Sequence, residues 1–178
     1  MSRHSHTELA VLGALSVEPM SGYTVRASIT ETLGHFWSES FGQIYPTLAR
    51  LESEGLVERD AAGKTSGSRF RLPPRGRDRL VDLLHDPIPT TPPRNGTLLR
   101  LFFGGLLGPQ ECREIVLRAL TDAEARLVHL TAVRAEVERE GDPGSPYRLI
   151  TVAAGEHSAR AQVAWAHEVL ETLDALAS

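Results

Sequence analysis

One segment in the first third of the chain carries hydrogen-bonding side chains at short intervals. Ser40, Gln43 and Thr47 offer hydroxyl and amide groups. Such groups can donate to and accept from base edges in the major groove of DNA, and the Gln43 amide can bond adenine twice. Arg50 can pair with a backbone phosphate. Tyr45 either bonds a phosphate through its hydroxyl or packs under the segment, and both interpretations stay open.

These side chains are predicted to lie on one amphipathic helix from Ser40 to Glu54. Pro46 lacks a backbone N–H and is expected in the first turn, and Gly55 is expected to end the helix. The spacing of the apolar residues predicts that one face of this helix packs against a core. The apolar positions of that face are Phe41, Ile44 or Tyr45, Leu48 and Leu51. The polar positions expected outside are Gln43, Thr47, Arg50 and Glu54.

Two shorter helices are predicted before this one. The first covers about Thr7 to Ser16, where Thr7 and the following glutamate provide a start. The second runs from Tyr23 to about Leu33, with Ser21 as its cap and Gly34 at its end. The three helices follow one another through brief turns, and the last two stand in helix-turn-helix order.

Two segments with strand-like alternation follow, at 56–59 and 69–72. The polar segment between them contains two glycines, which is typical of a hairpin loop. We call this hairpin the wing. Cations of the wing can hold phosphates in place. Those proposed to do so are Lys64, Arg69 and Arg71. A further helix is predicted from Arg75 to Leu84.

The charge distribution favours a nucleic-acid surface in this region. The 178-residue chain has a formal net charge of −4. Between Arg59 and Arg79, however, seven basic residues stand against two acidic ones, whereas from Asp86 onward nine basic residues stand against thirteen acidic ones. One short region can therefore face phosphate while the remainder keeps the protein soluble.

A proline-rich stretch divides the chain. Four prolines lie between Asp86 and Arg94, which predicts an extended linker. The predicted fold class is mainly α with a small β-hairpin. The predicted domains are a winged helix-turn-helix DNA-binding domain at 1–85, the linker at 86–94, and a C-terminal α-helical dimerisation domain at 95–178.

The C-terminal domain is predicted to begin with a short apolar helix at 97–107, followed by a long helix from Pro109 to about Glu140. The long helix carries a heptad seam. Its positions are Val116, Ala123, Leu130 and Val137, with Leu120, Leu127 and Arg134 as offset partners. At ~1.5 Å per residue the helix would be about 50 Å long. This exceeds what a small domain needs for its own core, so we expect it to pack against another chain.

A last helix is expected to run from a Ser145 cap and Pro146 to about Leu176. It carries two apolar stripes, which imply two partners: the long helix of the same chain and a helix of a second subunit. The first stripe consists of Val163, Ala166, Leu170 and Leu173. The second stripe consists of Ala154, Ala161, Trp165 and Leu176.

Several classes of protein are disfavoured. The longest apolar run, 98–107, is too short and too interrupted to span a bilayer, and the N-terminus lacks the apolar region of a signal peptide, so a cytoplasmic protein without a membrane partner is expected. The single Cys112, expected to be buried and inert, excludes an intramolecular disulfide or a cysteine-cluster zinc site. Phosphate-loop, nucleophile-elbow and paired-histidine motifs are absent, which argues against an enzyme, a cofactor or a metal.

The order and spacing of several blocks resemble the PadR family of bacterial winged-helix regulators. These blocks are 10–15 (AVLGAL), 20–23 (MSGY), 36–37 (FW), 43–48 (QIYPTL) and 51–57 (LESEGLV). The 99–107 block (LRLFFGGLL) and Trp165 also resemble the longer-tailed branch, whose C-terminal helical domain is similar to that of virulence activators. The resemblance covers nearly the whole chain.

The resemblance implies a homodimer that binds a pseudo-palindromic operator in double-stranded DNA, usually as a repressor, with affinity altered by an effector or by cellular state. One departure concerns the second wing strand, where the family usually has a tyrosine and this chain has Phe70. Phe70 lacks the hydroxyl, so a contact made by that tyrosine cannot be transferred, although Arg69 and Arg71 can compensate.

Two further interpretations remain open. A winged-helix module that binds protein rather than DNA would leave the wing arginines dispensable. A small-molecule effector pocket between the domains or at the dimer interface would be lined by Phe102, Phe103 and Trp165. Core packing is the favoured interpretation of these aromatic residues, because aromatic side chains at helical spacing are more often core than ligand platform.

Overall fold

A computed structural model of the chain describes residues 3–30, 37, 41–60, 68–88 and 95–177. The elements, in chain order, are α1 (Arg3–Val17), β1 (Met20–Ser21), α2 (Gly22–Ser28), α3 (Phe41–Ser53), β2 (Glu58–Arg59), β3 (Arg69–Arg71), α4 (Pro74–His85), α5 (Gly96–Phe102), a 3₁₀ turn (Gly104–Leu106), α6 (Pro109–Glu140) and α7 (Ser145–Leu176). The chain divides into two compact units, Met1–Thr91 and Pro92–Ser178. The predicted fold class, mainly α with a small antiparallel sheet, is confirmed.

The sheet of the N-terminal unit has three strands rather than the two of the predicted hairpin. Its order is β1-β3-β2, and both pairings are antiparallel. Met20 lies opposite Phe70 on one side of β3, and Arg59 lies opposite it on the other. Sequence reasoning missed β1 because two residues are too few to show alternation, and this strand forms only where β3 supplies its hydrogen bonds.

Helix α1 begins four residues before its predicted start. Thr7 and Glu8 are not an N-terminal cap, since they are only 2% and 5% exposed and lie on the packed face of the helix. The cap predicted for α2 is confirmed, because the Ser21 hydroxyl accepts a hydrogen bond from the backbone N–H of Thr24 at 3.1 Å. Residues 29–30 continue α2 as a π-helical turn, and the rest of its predicted length lies outside the described residues.

Helix α3 confirms the central sequence prediction within one residue at each end. Gly55 follows it with φ at 68°, a conformation that glycine adopts without strain. The placement of Pro46 in the first turn is wrong, because α3 already begins at Phe41 and Pro46 lies in its second turn. The backbone bond lost there would go to the carbonyl of Gly42, an exposed residue whose carbonyl water can reach.

The core of the N-terminal unit is one cluster to which α1, β1, α2, α3, β3 and α4 all contribute buried apolar side chains. Leu12, Val25, Ile44 and Leu51 are at most 1% exposed. Leu56 and Val57, predicted to open a strand, instead form a turn in which both backbone N–H groups donate to the carbonyl of Leu51.

In the C-terminal unit, α6 and α7 form an antiparallel hairpin joined by a short turn at 141–144. The heptad seam of α6 packs against α7 of the same chain, which corrects the expectation of a partner chain at this seam. Val116, Leu120 and Ala166 form its buried cluster, with the first stripe of α7 against it. A seven-residue repeat shows only that one face of a helix is apolar. A neighbouring antiparallel helix of the same chain covers that face as well as a helix of a second chain would.

Helix α5 ends five residues earlier than predicted, at Phe102, and a 3₁₀ turn follows. A Cβ on Gly104 would lie 2.6 Å from the Cys112 sulfur, so this turn packs closely onto α6. Cys112 is a buried free thiol, as predicted, and its Sγ donates to the Gly104 carbonyl at 3.6 Å. Ser145, predicted to cap α7, is instead its first residue, and Gly144 occupies the cap position.

Candidate nucleic-acid interface

Helix α3 divides into a packed face and an exposed edge. Ile44, Leu48 and Leu51 are at most 2% exposed, whereas Gln43 lies in solvent and Tyr45 is 50% exposed. The choice left open between Ile44 and Tyr45 is therefore decided in favour of Ile44 as the core residue. The exposed edge presents an amide and a phenol, the two groups that the sequence assigns to base and phosphate contacts.

Thr47 does not lie where the sequence prediction put it. Its side chain is 5% exposed and faces the core side of α3, so it has little surface to offer to DNA. Thr47 stands one position before Leu48, and the packed face is wide enough to include both, since α3 contacts both α1 and α2. A polar residue can therefore be buried although its type suggested the outside.

The two helices of the helix-turn-helix approach closely at Gly22. A Cβ at this position would lie 2.9 Å from Cε1 of Tyr45 and 3.5 Å from Cδ1 of Leu48. The ring of Tyr45 thus packs against α2 while half of its surface remains exposed. Both interpretations of Tyr45 are compatible with this placement, because the ring serves the packing and the hydroxyl is a separate polar group.

Arg50, whose side chain is partly exposed, pairs with two carboxylates of the protein. Its Nη2 donates to Oε2 of Glu8 at 2.8 Å, and its Nη1 donates to Oε1 and Oε2 of Glu54 at 3.0 and 2.9 Å. Glu8 also accepts from Nε of Arg79 at 2.8 Å. Burial opposes ionisation of Glu8, but the hydrogen bonds from Arg79 and Arg50 outweigh it and lower the pKa of this carboxyl.

The described arginines of the wing also have partners within the protein. Arg59 donates to both carboxylate oxygens of Glu52, and its guanidinium lies 4.8 Å from the ring centroid of Phe70. The bond from Arg59 lowers the pKa of Glu52, against a smaller opposing effect of burial. Phe70 itself is 7% exposed, so the residue that departs from the family pattern belongs to the core.

Arg71 pairs with Glu58, on the neighbouring strand, and lies 3.7 Å from Asp60. Arg69 donates from its Nε to the Pro19 carbonyl at 3.1 Å and lines a cleft of about 270 Å³ beside the start of α2. Carboxylates thus offset the charges of Arg59 and Arg71, whereas the partner shown for Arg69 is a neutral carbonyl. A guanidinium has five N–H donors, so a phosphate bound by Arg69 or Arg71 would compete with these partners or share the guanidinium with them.

Two predicted contact residues, Ser40 and Lys64, lie outside the described residues. Among the predicted contacts that the structure does describe, the exposed edge of α3 brings together Gln43 and Tyr45. Each of the three predicted arginines has a partner within the protein: Arg50 has Glu8, Arg69 has the Pro19 carbonyl, and Arg71 has Glu58. Sequence reasoning missed Glu8 and Arg79. A signal was present, since Glu8 precedes Val11, Leu12 and Leu15 at helical spacing and is the charged member of an apolar stripe.

Of the three predicted effector residues, Trp165 packs on the core as favoured, whereas Phe102 and Phe103 do not. Phe102 and Phe103 are 82% and 56% exposed, and their rings meet edge to face with centroids 5.1 Å apart. Trp165 is half-buried and packs on the cluster of Val116 and its neighbours. Leu101 is the residue of α5 that packs onto this cluster, which leaves the two phenylalanines outside.

A helix-turn-helix whose second helix carries an exposed polar edge, followed by a β-hairpin, defines a winged-helix DNA-binding protein. Among the described residues, none of the helices combines the length and apolar character needed to cross a bilayer. Residues 11–82 match the model of the transcriptional regulator PadR-like family, and residues 93–174 match that of the virulence activator alpha C-terminal domain. The chain belongs to the PadR-like family of transcriptional regulators, in the branch with this C-terminal domain.

Known relatives resemble the chain along its whole length. The negative transcriptional regulator PadR of Bacillus subtilis is 29% identical over 176 residues, which cover 93% of this chain and 96% of the relative. The structure of the PadR-like regulator BC1756 from Bacillus cereus superposes with a TM-score of 0.81 at 27% identity, covering 95% and 98% of the two chains.

Two structures of Bacillus subtilis PadR carry ligands. The structure in complex with operator DNA has a TM-score of 0.77 at 26% identity and covers 93% of this chain and 98% of that one. The structure in complex with p-coumaric acid has a TM-score of 0.73 at 27% identity and covers 94% and 98%.

Proposed function

We propose that this regulator is a cytoplasmic homodimeric repressor that binds a pseudo-palindromic operator and releases it in response to a small molecule. In this proposal α3 enters the major groove, and Gln43 reads base edges. Ser40 and Tyr45 contact the DNA beside it, and Lys64, Arg69 and Arg71 hold phosphates. The observation that carries the proposal is the division of α3, whose packed face leaves Gln43 and Tyr45 at an exposed edge.

The domain roles follow the two compact units. We assign DNA binding to 1–85, a connecting role to 86–94 and dimerisation to 95–178. Large apolar side chains of α5 and the following 3₁₀ turn support the last assignment. Leu99 and Phe102, one turn apart on α5, and Leu106, in the 3₁₀ turn, are 63%, 82% and 89% exposed, and we call these three side chains the apolar row. A row of this kind is typical of a surface covered by another subunit.

Titration with the intergenic DNA upstream of the gene tests the DNA-binding part. Fluorescence anisotropy at salt concentrations between about 50 and 200 mM should give an affinity for this DNA that falls steeply with salt, because phosphate contacts release counterions. An unrelated duplex of the same length serves as the control. Salt-independent or undetectable binding would favour the alternative function, a winged-helix module that binds protein.

Gln43→Ala tests the assigned reader. We expect the preference for the operator over the unrelated duplex to fall by about 1–3 kcal/mol, because a bidentate base contact is lost. Arg69→Ala combined with Arg71→Ala should weaken binding to both duplexes alike. Unchanged preference in Gln43→Ala would show that another residue reads the sequence.

Truncation after Pro93 tests the dimerisation role. The N-terminal unit has a core of its own and should fold, but it should sediment as a monomer and bind the operator weakly, because two linked half-sites gain from effective concentration. A truncated protein that still sediments as a dimer would overturn the assignment.

Effector control is supported by the Bacillus subtilis PadR structure with p-coumaric acid. Phe102, Phe103 and Trp165 remain the proposed contacts for an aromatic acid. The chain has two tryptophans, so a Trp37→Phe variant reports on Trp165 alone. Addition of p-coumaric acid should then quench the remaining fluorescence and reduce operator binding. Neither change would be seen if this regulator does not respond to phenolic acids.

A further inference from the structure

The side chain of Glu8 is a buried carboxylate between three helices of the N-terminal unit. Glu8 is 5% exposed, and each of its two oxygens has its own arginine partner. Oε2 accepts from Arg50 of α3, and Oε1 accepts from Arg79 of α4, both at 2.8 Å. The carboxylate of α1 therefore links α3 to α4.

This arrangement tolerates little displacement of α3. A buried carboxylate is costly unless its oxygens are paired, and movement of α3 would remove one of the two donors. The other terminal nitrogen of Arg50 is also occupied, because Nη1 donates to both oxygens of Glu54. The Arg50 guanidinium therefore spans from the buried Glu8 to the surface of its own helix.

A phosphate contact by Arg50 would have to compete with these partners. Withdrawal of the guanidinium would leave one oxygen of Glu8 buried without its donor, which is less favourable than the loss of a surface ion pair. Arg50 and Arg79 together balance the charges of Glu8 and Glu54. These two arginines and two glutamates therefore have no net charge, and no DNA phosphate is needed to balance them.

We infer that Glu8 is a positioning residue that holds the recognition helix α3 through Arg50 and Arg79, and that Arg50 is not a phosphate contact. This inference rests on the proposed DNA-binding function. It replaces the role that the sequence suggested for Arg50. It also adds Glu8 and Arg79 to the residues on which sequence discrimination depends, although neither needs to touch DNA.

The first experiment counts phosphate contacts in the full-length protein. The slope of log affinity against log salt is measured on the upstream duplex for the wild type and Arg50→Ala. Affinity should fall while the slope stays the same, whereas loss of a phosphate contact would reduce the slope by about 0.9. Arg139→Ala is the matched control, since it makes the same charge change at a 72% exposed side chain in α6.

The second experiment compares specific with non-specific binding. Glu8→Gln keeps the shape of the side chain but removes its charge. Operator affinity should fall roughly tenfold or more, as base contacts are misplaced, while affinity for the unrelated duplex stays the same or rises. Binding is measured below the unfolding transition of each variant, so that loss of folded protein does not enter the ratio.

Two further variants keep the inference testable if Glu8→Gln fails to fold. Arg79→Gln removes the second partner without altering α3 and should also lower the ratio of operator to unrelated binding. The double variant Glu8→Gln, Arg50→Ala should bind the operator no more weakly than the poorer single variant, because both changes break one linkage.

The outcomes distinguish failure of this inference from failure of the proposed DNA-binding function. A wild type without preference for the upstream duplex defeats the proposed function. A wild type with that preference, together with a reduced slope in Arg50→Ala and an unchanged binding ratio in both Glu8→Gln and Arg79→Gln, overturns the inference alone. An unchanged slope with a reduced ratio supports it.

Discussion

The two compact units bury their apolar residues in different ways. The N-terminal unit gathers side chains from six elements into one continuous cluster. The C-terminal unit buries a narrow seam between two long helices, onto which Leu101 of α5 packs, whereas Phe102 at the end of α5 remains in solvent. The first arrangement gives the N-terminal unit a core of its own within one chain. The second leaves Leu99 and Phe102 of α5 exposed, which agrees with the proposed division between reading DNA and pairing subunits.

Each unit also buries one glutamate that accepts hydrogen bonds from two arginines. Glu8 joins three helices through partners far away in the sequence. Glu156, 4% exposed, joins α7 to α6 through Arg134 and accepts from Arg160 one turn away on its own helix. Arg134 is the charged interruption of the heptad seam. Glu156 and Arg134 thus join the two helices of the α6–α7 hairpin. Glu8, with Arg50 and Arg79, instead orients the proposed recognition helix.

The largest expected effect comes from the core of the N-terminal unit. Leu51→Ala removes a fully buried side chain of α3 and should lower the free energy of unfolding by about 2–5 kcal/mol. Leu106→Ala, at an 89% exposed position, should change the stability of a dilute sample by no more than about 0.5 kcal/mol. Urea denaturation at low protein concentration measures both. Equal losses would contradict the contrast between the two units.

The next effect concerns association. Phe102→Asp together with Leu106→Asp places charge on the exposed apolar row and should weaken the dimer by about 2 kcal/mol or more, as at interface hot spots. Sedimentation equilibrium gives the dissociation constant. Val17→Asp is the control, because Val17 is 74% exposed but belongs to α1. If the double variant sediments as the wild type does, α5 is not the dimer surface.

A smaller effect should appear as a dependence of stability on pH. Hydrogen bonds from Arg79 and Arg50 prevail over burial to lower the pKa of Glu8, and the bond from Arg134 is the main cause of the lowered pKa of Glu156. Because both folded-state values lie below the ordinary 4.5, the stabilisation is complete above that pH. It is lost as the pH falls through the lower folded value.

Thermal unfolding of the wild type, Glu8→Gln and Glu156→Gln between about pH 7 and 3 measures this dependence. The advantage of the wild type should be constant down to about pH 4.5 and should shrink below it. A difference between wild type and variants that does not change with pH would show that the carboxylates act through their shape rather than their charge.

The smallest effect is expected at the surface of α6. Arg139 pairs with Glu136 at 3.3 Å, and both side chains are mostly exposed. Arg139→Ala should therefore change the free energy of unfolding by less than about 0.5 kcal/mol in chemical denaturation, since exposed pairs contribute little. A larger loss would show that this face of α6 is covered in the assembled protein, and another exposed arginine would then be needed as a charge control.

Local features allowed most helices to be predicted. The hydroxyl of Ser21, the glycine at Gly55, and Pro74 and Pro146 in the first turns of α4 and α7 act within a few residues, so their effect is visible in the sequence. The bounds of α6 were predicted correctly for the same reason. The sequence failed where a residue type misled locally, as at the start of α1 and at Thr47, because burial depends on which helices pack alongside.

The candidate site was predictable only in part. The exposed Gln43 follows from helical periodicity, because the opposite face is plainly apolar. The partners of the arginines do not follow from the sequence in this way. Arg71 pairs across the sheet with Glu58, and its pairing depends on a strand register that the sequence alone left undetermined.

The sequence by itself determined the order of the helices, the polar edge of α3 and the apolar faces of α6 and α7, because these depend on spacing within a single element. The tertiary structure decided what those faces and charges meet. It placed α7 of the same chain against the heptad seam, and it placed Glu8 beside Arg50. Residues distant in the chain meet only when the whole unit folds. No local pattern could therefore reveal that Arg50, a predicted DNA contact, pairs with the buried Glu8.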